Sequence, residues 1–301
     1  MAIIPIQNKY PDRAGYLGLD TDRNVLVGMS DGILKVMTNA TPEGWANVKD
    51  FGAKGDGVTD DTDAIQNCID NNNYVYIPDG TYLINQWREI QLHSNMYLLM
   101  SKNAVLQKEP TAREVYFIIL LQNVSNIIIN GGILKGERYQ HKGTTGEWGF
   151  GLRTMGASNI YIKNLTVMET WGDGLDFAAS DSADPQTISS NIIVDNVKTY
   201  DCRRQGLTIA HAKHIIIQNS EFVNSNGTNP QAGINIESDS EAIVNSDIII
   251  RNCIIKNNNG NGLEIWNSNN INVYNNLISS NNKDGIRIIG SSDIKINNNI
   301  I

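Results

Sequence analysis

Along residues 126–298 the hydrophobic positions follow one recurring phrase: a polar residue, Ile, any residue, Ile or Val, any residue, then Asn. It appears as NIYIKN (159–164), NIIVDN (191–196), HIIIQN (214–219), DIIIRN (247–252), NINVYN (270–275) and DIKINN (293–298), with NIIING (126–131) as a weaker copy. The first Ile of successive copies, at 127, 160, 192, 215, 248, 271 and 294, is spaced by 33, 32, 23, 33, 23 and 23 residues. A unit of about 23 residues with insertions therefore organises the chain. Each unit carries a second landmark, a Gly followed by alternating apolar positions: GLDF (174–177), GLTI (206–209), GINI (233–236), GLEI (262–265) and GIRI (285–288). Period-2 alternation in runs this short predicts strands, three to a unit with three turns between them.

A short coil of this kind stacks on its own copies at about 4.8 Å. The expected fold is therefore all-β, a right-handed parallel β-helix. Inward Ile, Val and Leu form apolar columns, and the recurring Asn at one bend can form a hydrogen-bonded ladder. The leucine-rich consensus is missing, and an antiparallel sandwich would not keep so fixed a period.

The ends of such a solenoid need cover. GVTDDTDAIQNCIDNN (57–72) predicts a capping helix over about 59–71, with Thr59 or Asp60 as N-cap and Ala64, Ile65, Cys68 and Ile69 on one face. Ahead of it, residues 1–44 hold YLGLDTDRNVLVGMSDGILKVM (16–37), two or three alternating strands expected to form a separate strand-rich leader. The β-helix domain then spans 45–301, and NNNII at its end falls inside a repeat, so the C-terminal mouth is expected to be uncapped or the chain truncated.

Composition narrows the partners. A net charge of −8 and a pI near 5.0 leave no basic stripe for phosphates, so no nucleic acid is expected. No run approaches the roughly 18 apolar residues of a membrane span. MAIIPIQNKYPDR at the N-terminus lacks the apolar stretch of a signal peptide. Cys68, Cys202 and Cys253 are odd in number and form no CxxC pair, which indicates neither a disulfide framework nor a zinc site. No cofactor is expected from these residues.

VKDFGAKGDGVTDDTDAIQNCID (48–70), continued by NGGILKG (130–136), GEWGFG (146–151), WGDGLDF, CRRQGLTI and GTNPQAGINIE, resembles the pectate-lyase-like superfamily of β-helix proteins. That superfamily includes polygalacturonases and bacteriophage tailspike or appendage depolymerases, and the resemblance covers roughly residues 46–301. It implies the fold strongly and the reaction weakly, since hydrolases, lyases, epimerases and plain binders share it. The strand-rich leader resembles a virion-attachment segment. The resemblance then implies a homotrimer on a phage tail or appendage, acting at the host cell surface and contacting other virion proteins through the leader.

The repeat register places candidate chemistry. Two positions past each Gly stand Arg153, Asp176, Thr208, Asn235, Glu264 and Arg287, and four past stand Met155, Ala178, Ala210, Glu237, Trp266 and Ile289. Side chains alternate along a strand, so these columns share the outward face. Insertions at GERYQHKGTTGEWGF, AASDSADPQTISS, NGTNPQ and SDSEAIVNSD border the same sheet and should wall a groove. Asp173, Asp176 and Glu237 are the candidate catalytic carboxylates, with about 10 Å between the coils of Asp176 and Glu237. Glycoside hydrolysis needs two such groups, and the DxxD pair resembles the paired aspartates of β-helix hydrolases. Arg153, Arg203, Arg204, Asn235, Glu264 and Trp266 are the candidate substrate-binding residues, and Arg203 and Arg204 would lie between the carboxylates. His141 and His211 read as incidental, and no Gly-His-Gly of the polygalacturonase type occurs.

The expected function is a depolymerase cleaving a bacterial cell-surface polysaccharide or teichoic-acid-like polymer by carboxylate acid/base hydrolysis. A lyase using Ca²⁺ near substrate uronates is the second enzymatic expectation. The third is a receptor-binding virion fibre without catalysis.

Overall fold

The protein is described here by a computed structural model covering residues 44–180, 188–238 and 244–301, together with the backbone of three strands between residues 17 and 37. The chain divides into two units, Met1–Trp45 and Ala46–Ile301. In the first, β1 (Leu17–Asp20), β2 (Val25–Ser30) and β3 (Ile33–Met37) form an antiparallel meander in that order.

The second unit is a right-handed parallel β-helix. Among the described residues its strands make sheets of nine, eight and ten members, each strand pairing with its copy one coil away. The register is the one the repeat predicts: Ile127, Ile160, Ile192, Ile215, Ile248, Ile271 and Ile294 pair in sequence. All but the last are completely buried, as are the Ile and Val two positions on, from Ile129 through Val273. The columns thus form one continuous core. All three cysteines lie in it or against it as free thiols. Burial pushes the thiol of Cys68 up to about 11 and those of Cys202 and Cys253 to about 12.

The recurring Asn has a backbone reason. Asn159, Asn191, Asn270 and their column-mates His214, Asp247 and Asp293 all adopt left-handed φ between 52° and 58°, as do Asn164, Asn196, Asn219, Asn252, Asn275 and Asn298. Most side chains are strained there, whereas Asn and Asp tolerate it through local hydrogen bonds. The structure therefore has two such columns flanking each Ile-x-Ile strand, where one bend was expected, and a third at Glu169, Asp201, Asn224, Asn257 and Ser280. Ladders run along them: Asn191 donates to Asn159 (3.1 Å) and Asn159 to Asn126 (3.0 Å), while Asn196 donates to Asn164 and Asn164 to Asn130, both at 2.8 Å.

The capping helix α1 spans Thr62–Asp70, starting later than the sequence suggests. Three aspartates explain the shift. Asp56 accepts from the backbone of Val58 and Thr59 and holds that segment extended. Asp60 accepts from Thr62 N at 3.0 Å. Asp61, at the N-cap position, turns its carboxylate back to Lys54 N and Gly55 N, at 2.6 and 2.9 Å. Ile65, Cys68 and Ile69 are buried in the core and Ala64 packs against it, so the expected apolar face is the one used.

The functional columns lie on the eight-stranded sheet, whose later members are β4 (Trp148–Met155), β5 (Leu175–Ala178), β6 (Leu207–Ala210), β7 (Ile234–Glu237), β8 (Leu263–Trp266) and β9 (Ile286–Ile289).

Candidate active site

Pairing along this sheet aligns Arg153, Asp176, Thr208, Asn235, Glu264 and Arg287 in one column. The neighbouring outward column holds Met155, Ala178, Ala210, Glu237, Trp266 and Ile289. Of the expected groove walls, residues 181–187 and 239–243 lie outside the described residues.

Arg204 is the hub. Its Nη1 donates to Asp173 Oδ2 at 2.9 Å, its Nε lies 3.4 Å from Glu147 Oε2, and its Nη2 lies 3.9 Å from Glu237 Oε1. One guanidinium so gathers carboxylates from three separate chain segments. A second ion pair stands beside it: Arg153 Nε is 2.9 Å from Asp176 Oδ2, with the guanidinium over the stacked rings of Phe117 and Phe150. Further along, Glu264 accepts from Asn261 Nδ2 at 3.0 Å and lies 3.8 Å from Arg287.

The three expected catalytic carboxylates have different environments. Asp173 is completely buried, held by Arg204 and by Thr208 Oγ1 at 2.7 Å. Burial pushes its carboxyl up to about 7, opposed by Arg204 and reinforced by Asp176. Asp176 keeps slight exposure, and burial raises it to about 6 against the pull of Arg153 and Arg204. Glu237 is one-third exposed and accepts from Asn235 Nδ2 at 2.7 Å. These are carboxyls in unlike surroundings on one face, the arrangement that separates acid from base roles.

Among the expected binding residues, Arg153, Arg204, Asn235 and Glu264 join this group. Asn235 is itself buried and orients Glu237. Trp266, opposite Glu237 in register, is exposed. Arg203 does not lie between the carboxylates: its guanidinium stacks over Trp171 at 3.7 Å and donates to Gly146 O and Trp171 O. The His141 side chain is buried, with Nδ1 2.8 Å from Glu137 Oε1 and the ring stacked on Trp171.

Sequence reasoning missed Glu147, Thr208 and Asn261 as partners of these groups. Glu147 sits in the insertion just ahead of β4, and that placement was the available signal. Among the described residues no group of three or more His, Cys, Asp or Glu is set to hold a metal. Asp173, Asp176, Glu237 and Glu264 each face an arginine, which is a poor donor set for a hard cation.

A family model described as rhamnogalacturonase A/epimerase, pectate lyase-like, matches residues 45–99, and one described as right-handed beta helix region matches residues 186–301. The protein YclG of Bacillus subtilis is 29% identical over 240 residues, covering 70% of this chain and 41% of its own length. The pre-neck appendage protein of Bacillus phage phi29 is 28% identical over 225 residues, 69% of this chain and 26% of that protein. Among solved structures, the A-module of the mannuronan C-5 epimerase AlgE6 of Azotobacter vinelandii superimposes with a TM-score of 0.64 at 24% identity, covering 84% of this chain and 75% of that one. The chain thus spans well under half the length of the curated relatives it matches.

Proposed function

Starting from a right-handed β-helix that resembles the pectate-lyase-like proteins, and phage pre-neck appendage proteins with them, we propose that this chain is a polysaccharide-processing enzyme. It acts on a bacterial cell-surface glycan or teichoic-acid-like polymer by hydrolysis. The observation that carries the reading is that Asp176 and Glu237 stand in neighbouring outward columns of one sheet, each beside an arginine, Arg153 and Arg204 respectively.

In this reading Asp176 is the general acid. Its raised carboxyl holds a proton to about pH 6, and it donates that proton to the leaving oxygen of the polymer. Glu237, exposed and oriented by Asn235, is the base that activates water. Axial rise over two coils sets their strands about 10 Å apart, and the bond from Asn235 draws Glu237 along its own strand toward the column of Asp176. Arg204 stabilises charge on the polymer as the bond breaks. Asp173, with no exposure, holds Arg204 and does not touch the polymer. Trp266 offers an exposed ring face for a sugar beside Glu237. A virion location and a homotrimeric state belong to the same proposal, and the likeness to the phage appendage protein supports the first of them.

The test is incubation with envelope polymers purified from candidate host bacteria, following chain length by size-exclusion chromatography and absorbance near the ultraviolet band of unsaturated uronates. Hydrolysis predicts shortened chains without new absorbance. Shortening with new absorbance replaces hydrolysis by elimination, and binding without shortening leaves a receptor-binding fibre.

A further inference from the structure

The segment 136–147 is inserted within one coil, between the strand Ile133–Lys135 and β4, and side-chain bonds tie it to other coils. Arg138 donates to Asp201 O and Oδ1 at 3.0 and 2.9 Å and to Asn226 Oδ1 at 2.7 Å, tying the segment to later coils. Glu137 and His141 form a buried pair within it. The His141 ring lies 3.8 Å from the Trp171 ring, 13° from parallel, and the Arg203 guanidinium lies 3.7 Å from the same ring. Two planar groups that close to one ring cannot share a face, so Trp171 is sandwiched between them.

This stack ends at Glu147. Arg203 Nη1 donates to Gly146 O at 2.9 Å, fixing the backbone just before Glu147. On the other side, a Cβ at position 172 would lie 2.4 Å from Glu147 O, so the two backbones touch and only Gly fits at 172. The backbone of Glu147 is therefore held on both sides while its side chain, about one-third exposed, reaches Arg204 Nε at 3.4 Å. The charged groups facing Arg204 are Glu147, Asp173 and Glu237, with the Arg153–Asp176 pair beside them.

We propose that the 136–147 wall is a positioning element: it holds Glu147 as an anchor of Arg204, and Glu147 sets how that guanidinium divides its charge between Asp173 and Glu237. Glu147 is a positioning residue acting through Arg204, and His141, Trp171 and Arg203 act through Glu147. The inference rests on the reading of this groove as the active site. When Glu147 is neutralised, Arg204 shifts toward the remaining carboxylates and one negative charge leaves the group. Both changes favour ionisation of Asp173 and Asp176.

The experiment is a pH titration followed by ¹³C NMR on protein carrying labelled aspartate carboxyls, comparing the wild type with Glu147→Gln, His141→Ala and the double variant. The expected result is a fall of about half a pH unit in the midpoints of the Asp173 and Asp176 pair in Glu147→Gln. His141→Ala moves them in the same sense, and the double variant goes no further than Glu147→Gln. Glu147→Gln changes one partly exposed side chain and keeps the fold, so it remains informative if His141→Ala unfolds. Unchanged midpoints in Glu147→Gln overturn the proposal. So does a folded His141→Ala that loses thermal stability while its midpoints stay at wild-type values. No polymer enters this experiment: its failure removes the positioning role and leaves the catalytic reading standing, whereas a wild type that shortens no polymer does the reverse.

Discussion

Asp173 and Asp176 lie three residues apart, yet their surroundings assign them different work. Asp173 is sealed against Arg204 and Thr208, and Asp176 keeps an edge toward solvent beside Arg153. Both carboxyls stand above the ordinary value of about 3.9 because burial disfavours their charge. A carboxyl raised in this way binds its proton more tightly in the folded chain than in the unfolded one. It therefore adds nothing below about pH 4, and it removes stability progressively as pH rises from there toward about 7. Asp173→Asn, which cannot ionise, escapes that loss. Thermal unfolding of wild type and Asp173→Asn across pH 4 to 8 should show the difference moving in favour of the variant as pH rises. A difference independent of pH would mean that Asp173 is not held protonated by its site.

At the scale of the strand and its corners, stability comes from two sources that the repeat combines. Inward Ile and Val supply buried area, and the flanking Asn residues supply backbone conformation and ladder bonds. Asn164 does both corner jobs, with φ of 55°, one bond donated to Asn130 and one accepted from Asn196. Asn164→Ala should cost about 1–3 kcal/mol, from left-handed strain plus the two lost ladder bonds. Asn164→Gly should cost less, because Gly removes the strain and loses only those bonds. Denaturant midpoints at constant m-value measure both; equal costs would assign the whole effect to the ladder. The repeat made the strands legible, since register in a stacked coil follows from which Ile recurs. The start of α1 was not legible in the same way, because Asp56, Asp60 and Asp61 each capture backbone N–H groups by a choice the sequence pattern leaves open.

For the molecule as a whole, a fixed coil length turns sequence offset into spatial column, so Asp176, Glu237, Arg153, Asn235 and Glu264 could be placed on one face from spacing alone. What escaped was whatever depends on the path of an insertion. Glu147 reaches Arg204, and His141 and Arg203 meet across Trp171, through a segment with no repeat to fix it. Arg203 and Arg204 show the limit: adjacent in sequence and expected together, they point to different partners. The central claim is that Asp176 and Glu237 act as one pair on this face. The rate at which Asp176→Asn, Glu237→Gln and their combination shorten the polymer cleaved by the wild type tests it most directly. The account predicts a loss of about 10²–10⁴-fold for each single variant and no greater loss for the double, since a pair acting as a unit is broken by either change. Single variants that work at the wild-type rate, or a double whose loss is the product of the two singles, would contradict it.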